Sequence, residues 1–409
     1  MLKKIGAILF HAILTLLVFK IHVNEKVNSM LNDFKAELDQ GYLNEVYLFH
    51  KTGQAAFMKR PITTFLIEKI HQFFSVEIGT SFVVLNFSCL FLSSLLLFYL
   101  SKQLTKSTLK AFLNSLLFFM CFPIIFMFFV PIYTYDEPLQ LVFVFAALIA
   151  FFKQKNILFL FLFTMSVFVR ESSLILIPAL FVLKFPNVRL INVLGIVKNN
   201  FVQVLCLILP AILYFISIKF YVDFFGINQA EANENGIRWM CLLQNFESDQ
   251  AIIESISAFF LVLLIPIYFL ITSKSNELFS EKYSGLVKAF LVTLVINTFI
   301  AFFLTKVREA RVIMLPLVFL WPIFSLVFSS KIKLIFEIKN WIQLVQKPLL
   351  FILLAGLIYW SFYFSFFNYK ATIGFPKDHY FNNYLFVLLV IFSTHLCLYI
   401  ALKQKKSSL

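Results

Sequence analysis

The sequence predicts an all-α, polytopic transmembrane helical bundle of about 12 spans, and three observations predict it. Of 409 residues, 61% are hydrophobic and 14% charged, with a mean hydropathy of +0.88. A soluble domain sits near about 45–50% apolar and about 25% charged, so this surface is built for lipid. Uncharged Phe/Leu/Ile runs recur at lengths that suit helices crossing a hydrocarbon layer of about 30 Å, and Phe alone occurs 56 times. The runs lack the period-2 alternation of barrel strands, and backbone groups in lipid must be satisfied inside helices or closed barrels.

Taken in chain order, spans are expected near 5–22, 81–100, 111–130, 138–152, 156–169, 172–183, 201–219, 254–272, 284–304, 312–329, 349–367 and 381–402. The first run follows Met-Leu-Lys-Lys and no small-x-small cleavage site comes after it, so it reads as an uncleaved span. The stretch 157–183 is interrupted only by Arg170-Glu171 and admits either one long span or two short ones. Charge decides between them. With two short spans and both termini cytoplasmic, the inner segments hold 20 of the 35 Lys and Arg residues, opposed only by Glu277, Glu281 and Glu337 among 21 acids. Fusing 157–183 would invert every later segment and spoil that asymmetry.

The formal charge of +14 does not indicate nucleic acid, because the basic residues sit in short loops between apolar runs rather than along one stripe. Five cysteines show no paired or CxxC spacing, so neither a disulfide framework nor a zinc pattern is present. Four of them lie in apolar runs, and Cys241 alone falls in a loop. No internal repeat or soluble domain is evident, so residues 1–409 form one membrane domain. Its longest outer loop, 23–80, carries an apolar stripe at Val27, Met30, Leu31, Phe34 and Leu38, the spacing of an interfacial helix.

Charges at span ends on one side of a membrane protein are candidates for function. Four sets fall on the outer face. Asp39, near Glu37, Tyr42 and Glu45, would stand at the end of the interfacial helix; it could deprotonate an acceptor hydroxyl, hold a divalent ion, or be one solvated acid among others. Tyr135-Asp136-Glu137-Pro138 occupies a very short loop. Its adjacent carboxylates, which cannot both hide from the membrane surface, could share a metal, divide base and positioning roles, or cap the following helix. Arg170-Glu171 would be either an ion pair or an anion site, since the planar guanidinium suits phosphate. Arg308 and Arg311, in Lys306-Val-Arg-Glu-Ala-Arg311, run against the positive-inside trend; three residues apart, they would share one helical face and could grip a phosphate or diphosphate, or pair with Glu309. His11 and His395 read as core residues, and His50, His71 and His379 lack ligand spacing.

This layout resembles the GT-C-fold integral membrane glycosyltransferases of the polyprenyl-phosphate-sugar-dependent type. The carriers are the first span followed by a long outer loop with Asp39 and Tyr42, Arg60-Pro61 before an apolar segment, Asp136-Glu137 directly before a short span, the Arg170-Glu171-Ser172 break, and Arg308-Glu-x-Arg311 before a Leu-Pro span. The match is one of layout over most of the chain, with short motifs; Asp39 lacks an adjacent second acid and no large C-terminal soluble domain follows.

The resemblance implies inverting transfer of a sugar from a polyprenyl-phosphate donor to a lipid, glycan or protein acceptor on the extracytoplasmic face, with the bacterial inner membrane as location. Asp39 would be the base, supported by Asp136 and Glu137, which could also hold Mg2+ or Mn2+. Arg170, Arg308 and Arg311 would bind the lipid phosphate, and Tyr42, Tyr135 and Arg60 would position the acceptor. The alternatives are a transporter or flippase, and an envelope polysaccharide polymerase or ligase, both handling lipid-linked glycans. A transporter would favour midplane charges and repeated halves, neither of which this chain has.

Overall fold

The computed structural model describes residues 2–23, 42–53, 55–129, 132, 134–186, 195, 198–225, 240–273, 281–369 and 379–407. Among these there is no strand. The longer helices are α1 (Leu2–His22), α2 (Tyr42–Leu48), α3 (Pro61–Phe74), α4 (Ile78–Thr105), α5 (Thr108–Phe119), α6 (Glu137–Phe152), α7 (Asn156–Val169), α8 (Leu176–Lys184), α9 (Phe201–Phe224), α10 (Asp249–Thr272), α11 (Glu281–Leu304), α12 (Phe324–Phe336), α13 (Ile338–Val345), α14 (Pro348–Tyr363) and α15 (His379–Ser407). Among the described residues seven helical stretches, in α1, α4, α9, α10, α11, α15 and α14 with the π-turn that follows it, are long and apolar enough to cross a membrane, and α5, α6 and α7 are shorter apolar helices. The chain is an all-α membrane protein. Large apolar side chains on the long helices stand outward, Phe224 and Leu349 each 83% exposed, as lipid-facing surface requires.

Interior prolines persist in α9 (Pro210) and α10 (Pro266), while elsewhere proline starts or breaks helices: Pro61 and Pro138 open α3 and α6. The apolar run 312–329 is interrupted. It comprises a 3-10 turn (Ala310–Ile313), one α-turn after Pro316 (Leu317–Leu320), and then α12 after Pro322. Asn114 of α5 repairs the second break. Its Nδ2 donates to the Pro322 carbonyl at 2.7 Å, and its Oδ1 accepts from the Ser325 amide at 2.7 Å. Buried backbone groups freed by a break need such partners in a lipid setting. The expected span 111–130 is likewise helical only to Phe119, with a further single turn at Phe122–Ile125.

α6 and α7 form an antiparallel pair about a tight turn. Gln154 adopts the left-handed region at φ 57°, and the Lys155 amide reaches back to the Ala150 carbonyl at 3.0 Å, which closes the C-terminus of α6. Arg170 then leaves the helix in an extended conformation, and a 3-10 turn (Glu171–Ile175) leads into α8. α8 returns to the starting end, because Lys184 Nζ donates to Gln154 Oε1 at 2.7 Å. The start of α6, the end of α7 and the 3-10 turn therefore share one end of the bundle. About 20 Å separates it from the other end, at a rise of about 1.5 Å per residue.

α1 is docked into the bundle rather than standing alone: His11 Nε2 meets Ser115 Oγ at 3.0 Å and His11 Nδ1 meets the Ala7 carbonyl at 2.6 Å. His11 is thus a satisfied core residue. Cys241, expected in a loop, opens the short helix Cys241–Gln244 and is buried. The expected interfacial helix over Val27–Leu38 lies outside the described residues.

Candidate functional site

Four segments distant in sequence meet at the end of the bundle where α6 begins: the Arg60–Thr64 entry to α3, Thr134–Gln140, Arg170–Ser173, and Glu309–Arg311. Their charged groups form one buried network. Arg60 grips Glu171 in a fork, with Nε to Oε2 at 2.6 Å and a second bond from Nη2 to Oε1, and its Nη1 stands 3.7 Å from Asp136 Oδ2. Arg170 Nη1 bonds Glu137 Oε1. Arg311 shares that oxygen at 3.3 Å and bonds Glu309 Oε2 at 2.7 Å. Arg60, Arg170, Arg311, Asp136 and Glu137 are all buried.

Local structure explains the aim of each side chain. Pro138 sits in the first turn of α6 with no amide to spare, so the turn before it presents Asp136 and Glu137 at the helix start. Glu137 Oε2 folds back to accept the Tyr135 amide at 3.0 Å. The break after α7 frees Arg170 from helical direction. Gln140 Nε2 then pins that break by donating to Ser172 Oγ at 3.0 Å and Ser173 Oγ at 2.8 Å, while Ser173 Oγ donates to the Ser166 carbonyl at 3.0 Å. An aromatic wall closes one side. His50 stacks on Tyr135 with ring centroids 3.7 Å apart, and Tyr135 Oη meets Thr64 Oγ1 at 2.9 Å.

Asp136 differs from the other acids. It occupies the helix-capping position but makes no capping bond. It is 0% exposed, and neither carboxylate oxygen has a well-formed hydrogen bond among the described residues. The Thr63 hydroxyl lies close enough to favour the carboxylate by hydrogen bonding, and the Thr134 hydroxyl is buried without a partner among the described residues. Burial pushes the Asp136 carboxyl up to about 6, with Arg60 and Arg170 opposing the rise. Burial also disfavours the Glu171 carboxylate, but the Arg60 charge and hydrogen bonds outweigh it and hold its carboxyl down at about 2. Burial keeps His50 neutral, lowered to about 3. Its Nδ1 lies 2.9 Å from the Val46 carbonyl, so Nε2 is left as a buried acceptor with no partner.

Of the residues the sequence singled out, Arg60, Tyr135, Asp136, Glu137, Arg170 and Arg311 come together. Arg308 does not join them. It is 45% exposed at its side chain and faces Glu254 at 3.4 Å. The expectation that Arg308 and Arg311 share a helical face fails because residues 307–309 form a turn before the 3-10 segment. Arg170 pairs with Glu137 rather than with adjacent Glu171. The carboxylates of Asp136 and Glu137 do both hide from the surface, since three guanidiniums supply the charge that water would otherwise supply.

Nor do those two acids form a pair of free oxygen donors for Mg2+ or Mn2+. Both Glu137 oxygens are engaged, one by two guanidiniums and the other by an amide, and the positive surroundings disfavour a cation. Among the described residues no group of three His, Cys, Asp or Glu side chains could hold a metal ion. Asp39 lies outside the described residues; Tyr42 opens α2, which packs on α4. Sequence reasoning missed His50, Thr63, Thr64 and Gln140, and only His50 carried any signal, as one of three outer histidines.

No known protein family, curated protein or solved structure matches this chain.

Proposed function

We propose that the chain is a membrane glycosyltransferase of GT-C type, moving a sugar from a polyprenyl-phosphate donor to an acceptor on the extracytoplasmic face of a bacterial inner membrane. The proposed topology has twelve spans, five of them short or broken, with both termini cytoplasmic. Its support is that contacts between span ends join segments assigned to the same side. Lys153 reaches Tyr99, Tyr283 the Leu104 carbonyl, Lys288 the Pro186 carbonyl and Lys347 the Ala401 carbonyl on the inner side. Arg60 reaches Glu171, Asn245 the Thr305 carbonyl, and Arg311 Glu137 on the outer side.

The observation that carries the activity is Asp136, a fully buried carboxylate whose nearest cation, Arg60, stands off at 3.7 Å rather than forking onto it. A base is most effective when its proton affinity lies near the operating pH, and a carboxyl raised to about 6 meets that condition. In this reading Asp136 takes the proton of the acceptor hydroxyl as its oxygen attacks the anomeric carbon. The bond from that carbon to the phosphate oxygen breaks, and the polyprenyl phosphate departs carrying the extra negative charge. Arg170 and Arg311, held in orientation by Glu137, stabilise the developing charge. Arg60 tunes Asp136, Tyr135 and His50 wall the acceptor side, and Arg308 offers an exposed cation for the incoming donor. Asp39, the base that the resemblance implied, would then assist Asp136.

The competing reading is a structural ion network, since Arg60, Arg170 and Arg311 each meet a carboxylate already. The test is transfer of label from radiolabelled polyprenyl-phosphate sugars into membrane acceptors, with wild type and Asp136→Asn side by side. Transfer by the wild type and its loss in the variant is the expected result. No transfer from any hexose, pentose or aminosugar donor would sink the proposal.

A further inference from the structure

The opposite end of the bundle holds a second polar group that the cluster's chemistry does not use. Glu254, near the start of α10, faces Arg308; α10 then runs about 27 Å to Thr272, at about 1.5 Å per residue. There α10, α12 and α15 pack against one another. Lys331 of α12 is buried at 8% exposure, and none of the ion pairs among the described residues includes it. Its Nζ donates to the Thr272 carbonyl at 2.6 Å and lies 5.5 Å over the Tyr399 ring. The carbonyl bond suits a cation at a helix C-terminus and uses one of three donors.

Two further groups there have no partner. Ser273 follows Thr272 directly, and its Oγ is buried and unbonded. His395 of α15 is 0% exposed, and its Nε2 is unbonded. The Tyr268 hydroxyl lies 2.9 Å from His395 Nδ1; donation by that hydroxyl leaves the ring proton on Nε2, as a donor. His395 stacks on the same Tyr399 ring that Lys331 covers, at 6.1 Å and 15°, and the Lys331 charge acts on the imidazole. An ammonium, a hydroxyl and an imidazole N–H, all buried and short of acceptors, are the complement of an oxyanion.

We propose that Lys331, Ser273 and His395 form a binding site for a phosphate-type anion, remote from Asp136 and independent of its chemistry. Ile271, two residues before Ser273, and Phe336, five after Lys331, are each 78% exposed, an apolar surface that suits a phosphate carried on acyl chains. The anion is either a phospholipid phosphate or soluble phosphate.

The purified full chain, reconstituted in phosphatidylglycerol or phosphatidylcholine nanodiscs, would be compared with Lys331→Gln by native mass spectrometry of retained lipid. Melting with and without inorganic phosphate completes the comparison. The Gln amide, one bond shorter, keeps a donor facing the Thr272 carbonyl but lacks the charge. A lipid source predicts phosphatidylglycerol retention roughly tenfold stronger in wild type than in the variant. A soluble source predicts a phosphate-dependent rise in Tm for wild type alone. Ser273→Ala, which leaves the ammonium and its carbonyl bond intact, is expected to show a smaller loss of the same kind and serves if Lys331→Gln does not fold. Identical lipid retention and identical phosphate response across wild type and variants overturn the site.

Discussion

The long helices α9, α10, α11 and α14 and the short or broken elements α5 to α8 and 310–336 solve different problems with similar apolar residues. Apart from the carbonyls that Pro210 and Pro266 leave unpaired, the long helices satisfy their own backbone, keep charges near their ends and turn apolar side chains to lipid. The short elements leave backbone and charge to be satisfied by neighbours, and the neighbours supply it: Asn114 for the Pro322 break, Gln140 for the Arg170 break, and the guanidiniums for Asp136 and Glu137. Regular helices cross; interrupted ones assemble a buried polar site. In membrane proteins non-helical backbone at depth is tolerated only where protein covers it, and the broken segments here are covered.

Disrupting the network should separate the two regions most sharply. Arg170→Ala leaves the buried Glu137 with Arg311 as its remaining cation, and is expected to destabilise by about 3–5 kcal/mol, read as a lowered Tm in detergent. The pH dependence comes next. The Asp136 carboxyl is raised from 3.8 to about 6, so between those values the unfolded chain has released a proton that the folded chain keeps. Stability therefore falls as pH rises from about 4 to about 6 and is flat above, by about 2–3 kcal/mol in all. Asp136→Asn should remove that slope from the melting profile; a slope unchanged in the variant would assign it to another group.

Asn114→Ala strands a buried carbonyl and amide at the Pro322 break and should cost about 1–3 kcal/mol, measured by thermal melting. Ser107→Ala removes the cap that accepts the Lys110 amide at 3.3 Å at the start of α5, for a loss of about 1 kcal/mol. Smallest is Lys333→Ala, whose exposed side chain meets Glu337 at 3.7 Å in a solvated pair, and no change in Tm is expected. A large effect there would blur the contrast between buried and surface ions.

The long helices were legible because a run of some twenty uncharged residues has few alternatives to a membrane helix. The breaks were not read although their prolines are visible: 111–130 and 312–329 were each expected as one span, and Pro123, Pro316 and Pro322 stand where the structure interrupts them. The residues of the cluster were legible as charges out of keeping with apolar neighbours. Their pairing was not. Arg60 and Glu171 lie 111 positions apart, and adjacency suggested Arg170 for Glu171. Pairing depends on how the hairpin of α6 and α7 meets the Arg60 turn, which no local pattern encodes. His50 stacked on Tyr135 is hidden for the same reason.

In the proposed function Asp136 is buried for chemistry rather than for stability. The most direct measurement is sugar transfer by Asp136→Asn, assayed where its Tm is also recorded. The account predicts a Tm at or above that of the wild type at neutral pH with transfer reduced by about 100-fold or more. Transfer that survives in a folded variant, or transfer and Tm falling together, would contradict it.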